Sequence, residues 1–240
     1  MWLVLSHAND LAALWAARGL AARGLHPLEI VTAEALAYNR RFEHRLTAKR
    51  VSVSITLADG RVISSDGVRG TLNRLQLFPT EHLRGANKID RQYAEQELFA
   101  LSLSWLFSLP GRMLNRPTPQ ALGGDWRHPS EWALLAAQAG LKTMPYYQSD
   151  EHEAPAPLAL ANQSARTLLV IGNKCCDSSV LPGLSAGCAR LAQLSATDLL
   201  GIDFHLTEND GWVFTGATPQ PDLRLGGEAL LDALADSLQS

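Results

Sequence analysis

The residues in this chain able to do chemistry are few and scattered. Asp203 lies in the apolar run Leu200 to Leu206, ahead of the turn Asn209-Asp210-Gly211 and a second run from Trp212 to Phe214, so it rides on a β-hairpin. A lone carboxylate holds magnesium weakly, because that ion takes near-octahedral oxygen coordination and is usually shared between carboxylates and substrate phosphates. The plainer reading of Asp203 is a turn-facing carboxylate. The cluster Asp150, Glu151, His152 and Glu153 has suitable metal ligands but no recognised spacing, and it lies in a stretch rich in acid and proline. Cys175, Cys176 and Cys188 are an odd number with no zinc spacing; adjacent strand residues face opposite ways, which favours buried structural thiols. Arg69, Arg74, Asn115 and Arg116 sit beside apolar segments or in a proline-constrained loop. They are candidates to contact a ligand, or else solvated loop arginines and a turn-capping asparagine.

The elements that position these residues follow from periodicity. Trp2 to Leu5, then Leu11 to Ala22 at helical spacing, then Leu28 to Val31 make a strand, helix, strand opening typical of parallel α/β sheets. The alternating Val51 to Leu57, the turn Ala58-Asp59-Gly60 and Arg61 to Ile63 predict a hairpin. A long helix is expected over Ile89 to Leu109, with Tyr93, Leu98, Leu101, Trp105 and Leu109 as its core stripe, and Pro110 and Gly111 ending it. A further helix follows His128, capped near Ser130 and ending near Gly140. Beyond it, the spacing predicts a strand from Arg166 to a Gly172-Asn173 turn, a helix over Leu184 to Leu194, the Asp203 hairpin, and a helix over Gly226 to Leu238. The pair Gly226-Gly227 lacks the strand-to-helix context of a phosphate loop.

The hairpin ending in Thr215-Gly216-Ala217, the segment Arg91-Gln-Tyr-Ala-Glu-Gln-Glu-Leu with Ser104-Trp-Leu, and the loop Asn115-Arg-Pro-Thr-Pro together resemble the ATP-grasp superfamily, in its RimK-like branch of amino-acid and peptide ligases. The resemblance covers residues 1–141 loosely and 166–238 more specifically at their end. It implies that Asp203 matches the first acid of the family's metal site. It also implies that Thr215, Gly216 and Ala217 stand where a Glu-x-Asn triplet completes that site, so Asp203 is a vestigial metal position. Asn115, Arg116, Arg69 and Arg74 become the ligand-contact candidates.

The fold expected is α/β. A pre-ATP-grasp-like α/β domain spans 1–141, and an acidic, Pro-rich linker over 142–164 replaces the central nucleotide-clamping subdomain. A shortened ATP-grasp-like α+β remnant occupies 165–240. The function so implied is a degenerate protein without ligase activity of its own, with no cofactor, serving as binding or regulatory partner of a peptide or amino-acid ligase system. One alternative is a reduced ATP-dependent carboxylate–amine ligase completed by a partner subunit, using ATP and magnesium. Another is a small-molecule or peptide sensor built on the Asn115–Pro119 loop. The partner expected is a second copy, a full-length ATP-grasp ligase, or a peptide or amino acid. Loss of the centre is expected to expose an apolar face over the hairpin Leu200–Phe214 and the strand Thr167–Ile171.

Composition sets outer bounds. Hydrophobic residues make up 46% of the 240, charged residues 19%, and the formal net charge is -3. That balance describes a globular protein without the field for general nucleic-acid binding. No run of eighteen apolar residues occurs, so no membrane span is expected, and Met1 to Asp10 reads as a buried strand rather than a signal peptide. The expected location is cytoplasmic.

Overall fold

The computed structural model describes residues 1–49, 51–144, 146, 165–176, 183–207 and 210–240. Contacts divide them into two units, 1–125 with 234–240, and 126–233. The acidic cluster 150–153 and most of the expected linker lie outside the described residues.

The first unit opens with β1 (Trp2–Ser6), α1 (Leu11–Ala22), β2 (Leu28–Thr32) and α2 (Ala33–Ala37). Every residue of β1 is buried, as befits the inner strand of a parallel sheet covered on both faces. Asp10 caps α1 by accepting the Ala13 N–H. Next come β3 (Arg41–Leu46), β4 (Val51–Thr56), β5 (Val62–Ser64), β6 (Gly70–Asn73), α3 (Lys88–Ser108) and β7 (Arg112–Leu114). One four-stranded sheet runs β2-β1-β6-β7, with each neighbouring pair parallel. A separate antiparallel sheet, β3-β4-β5, contains the expected hairpin and adds β3, which the sequence reading did not foresee. Leu3, Leu5, Val53, Ile55, Ile63 and Trp105 share one core.

Helix α3 departs from its expected stripe. Trp105 is buried, but Tyr93 is 65% exposed, and within the helix only Ser102, Trp105 and Leu106 are buried. Its first turns therefore carry apolar residues that the core does not reach.

The second unit holds α4 (Pro129–Gln138), β8 (Ala165–Ile171), β9 (Lys174–Cys175), α5 (Ser185–Leu194), β10 (Leu199–Thr207), β11 (Gly211–Thr218) and the start of α6 (Gly227–Gln239). The cap of α4 is His128, two residues before Ser130 and within the neighbourhood expected. His128 accepts the Ser130 N–H through Nδ1, and Glu131 accepts the His128 N–H in return. Although the sequence reading grouped α4 with the N-terminal domain, Trp132, Ala136 and Ala139 pack into one core with Leu168, Val170, Leu191, Ile202 and Phe204. The sheet is antiparallel, ordered β11-β10-β8-β9. Among the described residues the expected open apolar face is not found, although Leu206 near the hairpin's turn is exposed. Leu168 to Ile171, Leu200, Ile202, Phe204, Val213 and Phe214 are buried, because one face of the sheet lies under the helices while Pro221 and Leu230 close against Gly201, Gly226 and Leu169 on the other.

Candidate functional site

In the second unit, strand pairing decides what surrounds Asp203. The register sets Asp203 opposite Thr167 on β8 and opposite Gly216 on β11. Directly paired residues share a face, so Thr167, Asp203 and Gly216 line one side of the sheet. Ile202, Leu168 and Ala217 take the other side and pack towards the helices. A β-bulge between Asp203 and Phe204 leaves Thr215 as the extra residue of β11.

The Thr167 hydroxyl donates to Asp203 Oδ1 at 2.6 Å, and the Thr215 hydroxyl donates to the Asp203 backbone carbonyl at 3.2 Å. These residues, with Ala165, Arg166, Phe204, His205 and Leu225, line a groove of about 560 Å³. His205 Nδ1 is shielded there and has no hydrogen-bond partner among the described residues.

The donor set does not fit magnesium. Around Asp203 it offers one carboxylate, hydroxyl oxygens and an imidazole. Gly216, across from the carboxylate, has no side chain, and Ala217 packs on the opposite face. Among the described residues, no group of three or more His, Cys, Asp or Glu could hold a metal ion.

The remaining candidates belong to the first unit, where the strands of the parallel sheet end. Arg74 directly follows β6 and is buried: its Nε donates to Asp10 Oδ2 at 2.7 Å and its Nη2 to Asp10 Oδ1 at 3.3 Å. The reading of Arg74 as a solvated loop arginine is thus overturned, since the same carboxylate that caps α1 draws the guanidinium inward. Asn115 directly follows β7. It is buried with φ 57°, and its carbonyl accepts Asn73 Nδ2 at 3.0 Å. The same Asn73 amide reaches the Leu122 carbonyl at 2.6 Å, so one buried side chain ties together both ends of the loop. Arg116, next along, is exposed.

Arg69 is also exposed but precedes β6, at the opposite end of that strand from Arg74, with its N–H donating to the Met1 carbonyl. The structure thus brings Arg74 and Asn115 to one end of the parallel strands, through Asn73, and sets Arg69 at the opposite end.

Thr167, His205 and Asn73 were missed by sequence reasoning. Alternation along β8 would have put Thr167 on one face with Leu169, but only the register with β10 sets it beside Asp203. Cys175 packs against the helix-side core and Cys188 is buried within it. Burial, with the neighbouring Cys175, pushes the Cys188 thiol up to about 12 and the Cys176 thiol up to about 11.

No family model matches the sequence, and no curated protein matches it. Solved structures do match in fold. The macrocyclase MdnC from Microcystis aeruginosa, bound with precursor peptide MdnA, aligns with TM-score 0.71 at 11% identity, over 99% of this chain and 99% of that one. A Chryseobacterium gregarium RiPP-associated ATP-grasp ligase, in complex with ADP and a leader and core peptide, gives 0.68 at 10% identity, over 98% and 96%. The ATP-grasp ligase PsnB, complexed with a phosphomimetic variant of its minimal precursor, Mg and ADP, gives 0.68 at 15% identity, over 98% of each chain. The chain therefore has the mixed α/β fold of ATP-grasp ligases along nearly its whole length.

Proposed function

We propose that this chain is a degenerate RimK-like ATP-grasp protein without ligase activity of its own, acting as a binding or regulatory partner in a peptide-ligase system. The observation that carries the reading is the surrounding of Asp203: glycine across the strand, two hydroxyls already bonded to Asp203 itself, and Ala217 turned towards the core. Phosphoryl transfer depends on positioned charge around the phosphates, and a single carboxylate supplies little of it. The fold likeness to ligases solved with precursor peptides supports a peptide-related role. In this proposal residues 142–164 stand in for the central subdomain, and Arg116, exposed at the end of β7, is the foremost contact for a peptide or amino acid in the first unit.

Isothermal titration with magnesium-ATP and an ATP-hydrolysis assay test the reading. The expected outcome is no saturable binding in the micromolar range and no phosphate release. Micromolar binding, or turnover abolished by Asp203→Ala, would establish instead the reduced ligase completed by a partner subunit.

A further inference from the structure

The protons around Asp203 are already committed. Thr167 gives its hydroxyl proton to Asp203 Oδ1, and Thr215 gives its own to the Asp203 carbonyl. A hydroxyl has one proton and two lone pairs, so both oxygens face a ligand only as acceptors. A Cβ built on Gly216 would lie 3.8 Å from Asp203 Oδ2, so the glycine leaves that oxygen uncovered. His205 Nδ1, without a partner in the same groove, is a further acceptor in the Nε2–H tautomer. Arg166 also lines the groove, but on β8 it directly precedes Thr167 and pairs with Phe204, whose side chain lies on the helix side, so strand alternation turns its own side chain to the opposite face.

Three oxygen acceptors, one of them charged, line this groove together, and both hydroxyl protons beside them are already spent. We infer that this groove binds a primary ammonium group, carried by a lysine side chain or by the amino terminus of a peptide. An ammonium has three N–H donors and no acceptor, and so complements Asp203 Oδ2 and the two threonine oxygens. A triphosphate, all acceptor and negative, is the wrong partner for the same atoms. The inference rests on the reading that Asp203 no longer serves magnesium.

The test is a titration of the isotope-labelled full chain, followed by NMR at the Asp203 carboxyl and at Thr167 and Thr215. One probe is Nα-acetyl-lysine methylamide, which carries a side-chain ammonium; the other is glycine methylamide, which carries a terminal one. At least one gives saturable shifts confined to these residues, and the stronger identifies the source. Tetramethylammonium, a cation without N–H donors, binds roughly tenfold more weakly or worse. Asp203→Asn weakens the ammonium roughly tenfold or more. Thr215→Val, which keeps the carboxylate, weakens it less and serves if Asp203→Asn does not fold.

Shifts with neither ammonium, or equal shifts with tetramethylammonium, overturn the inference. Magnesium chloride is titrated in parallel. If magnesium alone saturates these signals, the proposed function falls as well; if nothing binds at all, only the ammonium inference falls.

Discussion

Arg74 and Asp10 show how little a residue's type says before its surroundings are known. A loop arginine is ordinarily solvated, yet the Arg74 side chain is 6% exposed and that of Asp10 16%. Breaking a buried pair by removing one partner costs far more than the pair's net contribution, because the remaining charge is left without compensation. We expect Arg74→Met to destabilise the protein by about 3 kcal/mol in urea denaturation. Adding Asp10→Asn, which keeps an N-cap acceptor while removing the stranded charge, should restore part of that loss. Equal midpoints for Arg74→Met and wild type would show that the pair contributes nothing.

At the scale of elements, the junction of β6 and β7 is set by one glycine. Gly111 has φ +79°, and a Cβ there would stand 2.0 Å from the Arg69 carbonyl oxygen. Backbone strain and a clash with main chain act together, and the main chain cannot swing aside as a side-chain tip would. Gly111→Ala should therefore cost about 3 kcal/mol in chemical denaturation. Gly24→Ala is the control: φ is +84° but nothing lies within 4 Å, so it should cost only the strain, about 1 kcal/mol. Similar losses at both positions would count against the close approach of the two strands.

For the whole molecule, the division into two cores makes a pH response specific to one of them. Cys175, Cys176 and Cys188 all belong to the second unit, and Cys176 and Cys188 are raised from 9.0 to about 11 and about 12. A raised pKa in the folded state favours the protonated form. The stability it contributes is complete below the unfolded value and is lost as pH climbs from about 9 towards 11 and 12. The urea midpoint of the second unit should fall across that window, and Cys188→Ala should flatten the fall. A fall of the same steepness in that variant would remove the thiol from the explanation. Below the window Cys176 and Cys188 stay neutral, so native labelling of these two by alkylating reagents at pH 8 should be slow. Among the described residues, no helix is long and apolar enough to cross a membrane.

Local pattern alone determined much of this protein. The run Trp2–Leu5, the helix Leu11–Ala22, the alternation of Val51–Thr56 and the hairpin around Asp203 are each legible because burial repeats with the period of the backbone itself. Strand β3 was not legible: Arg41–Leu46 carries three charged side chains and becomes a strand only because β4 presents an edge to it. Tyr93 was misplaced because periodicity says which side of a helix is apolar but not how far along it the core extends. At the candidate site, sequence placed Asp203 on a hairpin whose second strand ends in Thr215-Gly216-Ala217. Only tertiary structure decided that Gly216 faces the carboxylate, that Ala217 turns to the helices and that Thr167 supplies the bonded hydroxyl. Those facts depend on strand register and on a single bulge, and shifting a register by one residue sends every side chain to the other face.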